Sequence, residues 1–98
     1  MVRPIRESAV EAALVRFARE NGIWTRKFSS PAHRGVPDRI FMRRGKILFL
    51  EIKRPGEKPT ALQLHELQQI RSAGGNADWC DSVDTGKVAI SLYLNDAL

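Results

Sequence analysis

The chain has a single cysteine, Cys80, in 98 residues, so no disulfide forms within it and no cysteine cage for a metal is available. The lone thiol is compatible with a reducing compartment. Long hydrophobic runs are also missing. The longest, such as Ile47-Leu48-Phe49-Leu50, are four residues, against the roughly 20 that a spanning helix needs. Membrane insertion is therefore not expected. Met1-Val2-Arg3-Pro4 leads into a mixed charged and apolar segment, so no secretory leader is expected and a cytoplasmic location is. Two histidines, His33 and His65, show no metal-ligand spacing with each other or with Cys80. No repeat or low-complexity tract is present.

What is present is positive charge on a short chain. Sixteen Lys and Arg face eleven Asp and Glu, giving +5 and a pI near 10.0. That balance favours a polyanionic partner, nucleic acid before membrane. The length suits one domain over residues 1–98 with a modest core. Arg54 to Pro59, although rich in Pro and Gly, reads as a loop inside that domain.

Hydrophobic periodicity predicts a helix from about residue 5 to 21, with Val10, Leu14, Phe17 and Ala18 recurring at helical spacing and Asn21-Gly22 as its stop. Ile23 to Ser29 is strand-like. A loop rich in Pro and Gly follows, holding His33 and Arg34. Asp38–Arg43 and Lys46–Lys53 read as strands joined at Arg44-Gly45. Thr60 to Ala73 predicts a second helix with Leu64, Leu67 and Ile70 inward, and Ala77 to Asp81 a short strand. The tail from Asp84 to Leu98 allows a helix through Val88, Leu92 and Tyr93, or a strand by alternation. Trp24, Trp79 and Cys80 read as core.

The chemistry lies in Pro37-Asp38, a twelve-residue interval, and then Glu51-Ile52-Lys53. With a two-residue turn at Arg44-Gly45, residue 43 faces 46 and Asp38 falls opposite Glu51. Directly opposed Cβ atoms lie about 4.5–5.5 Å apart. Two acids so placed repel unless a cation sits between them, and converging carboxylates form a hard oxygen site for Mg²⁺. Lys53 points to the same face as Glu51. A metal and a lysine beside developing charge suffice to hydrolyse a phosphodiester. The register is conditional, because Arg is a poor first residue of a type I′ turn and a bulge at Gly45 offsets the pairing by one. Each residue also has a simpler reading. Asp38 fits a turn after Pro37, Glu51 an ion pair with Lys53 or Arg39, and Lys53 a solvated strand end. Glu11 fits a capping box with Ser8, and Gln63 one with Thr60.

Asp38, Glu51 and Lys53, in this order of elements, resemble the PD-(D/E)XK nuclease superfamily, and the wider pattern resembles its VRR-NUC branch in the small stand-alone form of phage and bacterial genomes. The matching stretches are Glu7-Ser8-Ala9-Val10-Glu11, Gly22, Lys27, Gly35-Val36-Pro37-Asp38-Arg39-Ile40, Phe49-Leu50-Glu51-Ile52-Lys53, Thr60-Ala61-Leu62-Gln63 and Gly74. The resemblance implies an α/β (α+β) restriction-endonuclease-like domain with an αβββαβ core, its mixed sheet flanked by helices. It implies a metal-dependent DNA endonuclease, selective for branched or junction structure rather than sequence, and a homodimer. By position, Asp38, Glu51 and the Ile52 carbonyl bind Mg²⁺, with Mn²⁺ expected to substitute, and Lys53 positions water or stabilises charge. A first-helix acid assists, Glu11 preferred over Glu7. Gln63 and Lys27 belong to the surround. Arg26, Lys27, Arg34, Arg39 and Arg54, which cluster in sequence around these elements, are the expected backbone contacts. No small-molecule cofactor is expected. The rival expectation is a non-catalytic nucleic-acid-binding module, or a subunit of the same fold that cuts only with a partner.

Overall fold

A computed structural model describes residues 4–95. The elements in order are α1 (Glu7–Glu20), β1 (Trp24–Lys27), β2 (Arg39–Arg43), β3 (Lys46–Ile52), α2 (Ala61–Ser72), β4 (Asn76–Cys80) and α3 (Val83–Leu94). The expected α+β core is present, and the ambiguous tail is helical over Val83–Leu94. Its last residues, 96–98, lie outside the described part. Among the described residues no helix is long and apolar enough to cross a membrane.

The four strands form one mixed sheet in the order β1-β2-β3-β4. β1 and β2, and β2 and β3, are antiparallel. β4 returns parallel to β3 after α2, as a parallel neighbour needs a crossover. The β2–β3 register keeps Arg43 opposite Lys46 and Arg39 opposite Leu50, so continuing it one step brings Asp38 to Glu51. The turn explains why. Arg44 has φ 51° and Gly45 φ 81°, the two positive values a type I′ turn requires. Arg44 thus accepts a conformation that costs an L-residue energy, and no bulge displaces the ladder.

Alternation then sorts the side chains. Phe41, Leu48, Leu50 and Ile52 point to one face, fully buried under α1 and α3 in a cluster with Val10, Leu14, Ala18, Ile90 and Leu94. The capping box weighed for Ser8 and Glu11 is absent, because the N-cap of α1 is Arg6 and carries no side-chain cap bond. The opposite face carries Ile40, Met42, Ile47, Phe49 and Glu51. It has less cover, since α2 packs on β4, with Leu67 and Ala77 buried apart from the main cluster.

Two expectations fail on this asymmetry. Leu64 is not inward but 47% exposed, because α2 spans only the edge of the sheet and Leu67 is its one buried residue. Trp24 is not core but 44% exposed. It lies on the edge strand, opposite Met42, on the less covered face. Val88 and Leu92 point to solvent, while Gly86, Ala89, Ile90 and Leu94 form the buried stripe of α3.

Arg44→Asn should stabilise the protein by about 0.5–1 kcal/mol, because Asn tolerates positive φ and Asn-Gly suits this turn. Urea unfolding should show a higher midpoint with an unchanged slope. A lower midpoint would mean that Arg44 makes a compensating contact.

Candidate active site

Asp38 sits where the β2–β3 ladder gives out, and it is held from both sides. The Phe28 N–H donates to its carbonyl oxygen at 2.9 Å, and the Ile52 N–H donates to its Oδ2 at 2.8 Å. The preceding Pro37 is fully buried. Gly35, two residues earlier, has φ 83°, and a Cβ there would come within 2.9 Å of Leu62 Cγ and 3.2 Å of the Leu62 carbonyl. Only glycine lets the loop lie this close to α2. The loop delivering Asp38 is therefore braced by β1, β3 and α2.

Glu51 is 2% exposed on central strand β3, beside Trp79 of β4 in the parallel register. Its Oε1 is buried with no hydrogen-bond partner, and its Oε2 lies 3.6 Å from Lys53 Nζ. Lys53 is itself buried. Its N–H donates to the Cys80 carbonyl at 2.8 Å, and its Nζ also lies 3.5 Å from Glu57 Oε1. Burial, followed by the negative charge of Asp38, pushes the Glu51 carboxyl up to about 8 against the opposing pull of Lys53. Glu7 is raised too, by burial first and then by Asp38, with Lys53 opposing. Asp38, Glu51, Lys53 and Glu7 thus share one electrostatic locus. A cleft of about 820 Å³ opens beside it, lined by Pro4, Ile5, Arg6, Glu7, Arg54 and Glu57.

The other expected residues are placed differently. Glu11 lies 2.9 Å from Arg39 Nη1 and 3.5 Å from Lys27 Nζ, so it is bound up in ion pairs. Arg39 faces the helix-covered side, with a side chain 12% exposed that also donates to Thr25 Oγ1. Lys27 pairs with Arg39 in the ladder and shares that face, whereas Arg26 lies opposite Ile40 on the face of the acids. Gln63 closes a reciprocal cap with Thr60: its Oε1 accepts from the Thr60 N–H at 2.9 Å. Arg54 is tied to Glu57 at 2.9 Å, and Arg34 is exposed in the loop before Asp38. Sequence reasoning passed over Glu57. Its signal is the i,i+4 spacing from Lys53 within a segment read only as loop. Glu7 and Glu11 are four apart on one helix, and only the position of α1 along the sheet separates them.

A mixed sheet carrying buried Glu51 and Lys53 with half-buried Asp38 at one locus is the arrangement of a nuclease of the PD-(D/E)XK kind. The relatives agree. "Putative nuclease p44" of Acyrthosiphon pisum secondary endosymbiont phage 1 is 43% identical over 88 residues, which is 89% of this chain and 95% of that protein. A solved structure described as "VRR_NUC domain" superposes with a TM-score of 0.80 at 29% identity, covering 89% of this chain and 96% of that one. A second, "VRR_NUC domain protein", gives 0.79 at 18% identity over 94% and 90% of the two chains, and shows the shared fold. No family model matches the chain. The chain belongs to the VRR-NUC family of nucleases.

The raised Glu51 carboxyl makes stability depend on pH. Its folded value near 8 lies above the usual 4.5, so the folded state holds the proton more tightly than the unfolded state. The stabilisation is fully present below about 4.5 and is lost as pH rises through 8. In chelator, Glu51→Gln should flatten this loss between pH 5.5 and 8.5, as read from urea midpoints. Parallel pH profiles for the two proteins would mean that Glu51 keeps an ordinary carboxyl.

Proposed function

We propose that this nuclease is a divalent-metal-dependent endonuclease that hydrolyses phosphodiester bonds in DNA, selecting branched or junction structure rather than sequence and acting as a homodimer. The observation that carries the metal reading is Glu51 Oε1, a buried carboxylate oxygen without a partner beside a second acid. Buried polar atoms of native folds are nearly always partnered, and a cation is a partner that suits an oxygen set beside a second carboxylate.

The donor set fits the group. Among the described residues no cluster of three or more His, Cys, Asp or Glu side chains could hold a metal. Mg²⁺ does not need one, since it binds through one or two carboxylates and completes its shell with water and substrate phosphate. Asp38, Glu51 and the Ile52 carbonyl would hold it, with Mn²⁺ as a substitute. When bound, the ion supplies charge compensation at the phosphate and activation of a water. The protein's own residues do the rest. The backbone bond from Ile52 fixes Asp38 before substrate arrives. Lys53, clamped between Glu51 and Glu57, puts an ammonium where negative charge grows on the phosphate. Glu7, which faces this locus, serves as the helix acid in place of Glu11. Arg6 and Arg54 line the cleft and, with Arg34 in the adjoining loop, hold the DNA backbone by charge. The domain spans residues 1–98 and works in the cytoplasm of a bacterium or phage-infected host, a setting supported by the phage relative.

A cleavage panel over single-stranded, duplex, flap and four-way-junction DNA with Mg²⁺ or Mn²⁺ tests this reading. Lys53→Ala should cut about 10²–10³-fold more slowly, the usual loss for one electrostatic donor, while still binding DNA. Equal turnover would remove Lys53 from the reaction.

Asp38→Asn should be inactive and yet bind DNA at least as tightly as wild type in chelator at fixed salt, because one repelling charge is gone. Mg²⁺ should raise the melting temperature of the wild type at pH 8 but not of Asp38→Asn, since a ligand of the folded state stabilises it. A mutant that cuts normally, or an equal thermal response in both proteins, would refute the shared metal site.

A further inference from the structure

Away from the acids, at the free edge of the sheet, the surface changes character. Trp24 is 44% exposed, and the Arg26 guanidinium lies over its ring at 4.8 Å from the centroid. Arg26 is anchored in turn, with Nη1 donating to the Thr25 carbonyl at 2.8 Å. The indole and guanidinium therefore form one fixed stack. Two adjoining hollows of about 530 and 550 Å³ run between α1 and this edge strand, sharing Val15, Arg19 and Arg39. Their charged lining is Arg16, Arg19, Arg26 and Arg39 against one acid, Glu11. That acid is already neutralised by Arg39 and Lys27. Arg16 and Arg19 are exposed and have no ion pair among the described residues.

We propose that this edge is a binding surface for an unpaired nucleic-acid strand, a base stacking on the Trp24–Arg26 platform of the open face and the strand crossing the rim of the sheet so that its phosphates on the helix side meet Arg16 and Arg19. Three features select this occupant. An exposed aromatic ring at the rim of a basic hollow is the combination that holds single strands, because every base has a face to stack. A basic protein partner is excluded by the charge of Arg16, Arg19, Arg26 and Arg39. Direction is the third. Trp24 lies opposite Met42 and Arg26 opposite Ile40, and Met42, Ile40 and Asp38 alternate on one face. The platform is thus roughly 13 Å along the strand from the acid pair, at about 3.3 Å per residue. A strand stacked at Trp24 leads toward Asp38 and Glu51. This rests on the endonuclease reading and sharpens it: the preferred substrate carries a single-stranded arm next to the cut.

The test is binding in chelator, where no cutting occurs. In a Trp79→Phe background Trp24 is the remaining indole of the two, and titration with a twelve-residue oligothymidylate should quench its fluorescence. Trp24→Ala should bind that oligomer about 10- to 100-fold more weakly at fixed salt, the loss of one stacked base. Trp24→Phe, which keeps a ring, should recover most of the affinity. Replacing Arg16 and Arg19 by Ala should shallow the salt dependence by roughly 0.7 logarithmic unit per arginine. An unquenched Trp24, or equal affinity in wild type and Trp24→Ala, overturns the proposal. The cleavage panel separates the two readings. A protein that cuts duplex while Trp24 stays silent keeps the nuclease reading and loses this surface. One that binds the oligomer through Trp24 and cuts nothing does the reverse.

Discussion

Asp38 and Glu51 repel each other, and the protein is built so that neither can move away. Glu51 lies on a central strand whose neighbouring positions, Leu50 and Ile52, are fully buried. Asp38 is bonded through its side chain to the Ile52 N–H and through its carbonyl to the Phe28 N–H. Burial first, and then the charge of Asp38, raises the proton affinity of Glu51 to about 8, while Lys53 is clamped beside it. The turn at Arg44-Gly45, the Gly35 contact with Leu62 and the parallel return of β4 all serve to hold two like charges in register.

How much of this could be read from the residues depended on whether a feature was local. The hairpin was legible because apolar alternation and a two-residue turn fix a register by counting. The one doubt, Arg at a position of positive φ, concerned energy rather than topology, and it resolved in favour of the simple turn. The Thr60–Gln63 capping box was equally legible, since both partners lie within one helical turn. The choice between Glu7 and Glu11 was not. Both lie on the same helix, and only the distance by which α1 overhangs the strand ends decides which one feels the charge of Asp38. The exposure of Trp24 and Leu64 escaped for the same reason. Hydrophobicity says that a side chain favours burial, whereas the extent of α2 decides whether anything is there to cover it.

The two faces of the sheet divide the labour. One is closed by α1 and α3 over a continuous apolar cluster and gives the domain its stability. The other, with cover from α2 only at β4, carries Glu51, Trp79, Arg26 and Trp24. A face left open costs hydrophobic stabilisation, and a nuclease of this length has little to spare. The cost is accepted where a large polyanion must reach an acid pair of which one member, Glu51, is buried.

Strand β1 leaves a row of backbone donors and acceptors unpaired at the outer edge of the sheet. Such a rim invites another sheet to add itself, and a crowded cell offers many. Here the rim is only four residues long and ends in Arg26-Lys27, so two approaching copies meet charge of the same sign before any ladder can form. The positive charge that draws a nucleic acid toward this edge also keeps the protein from polymerising along it.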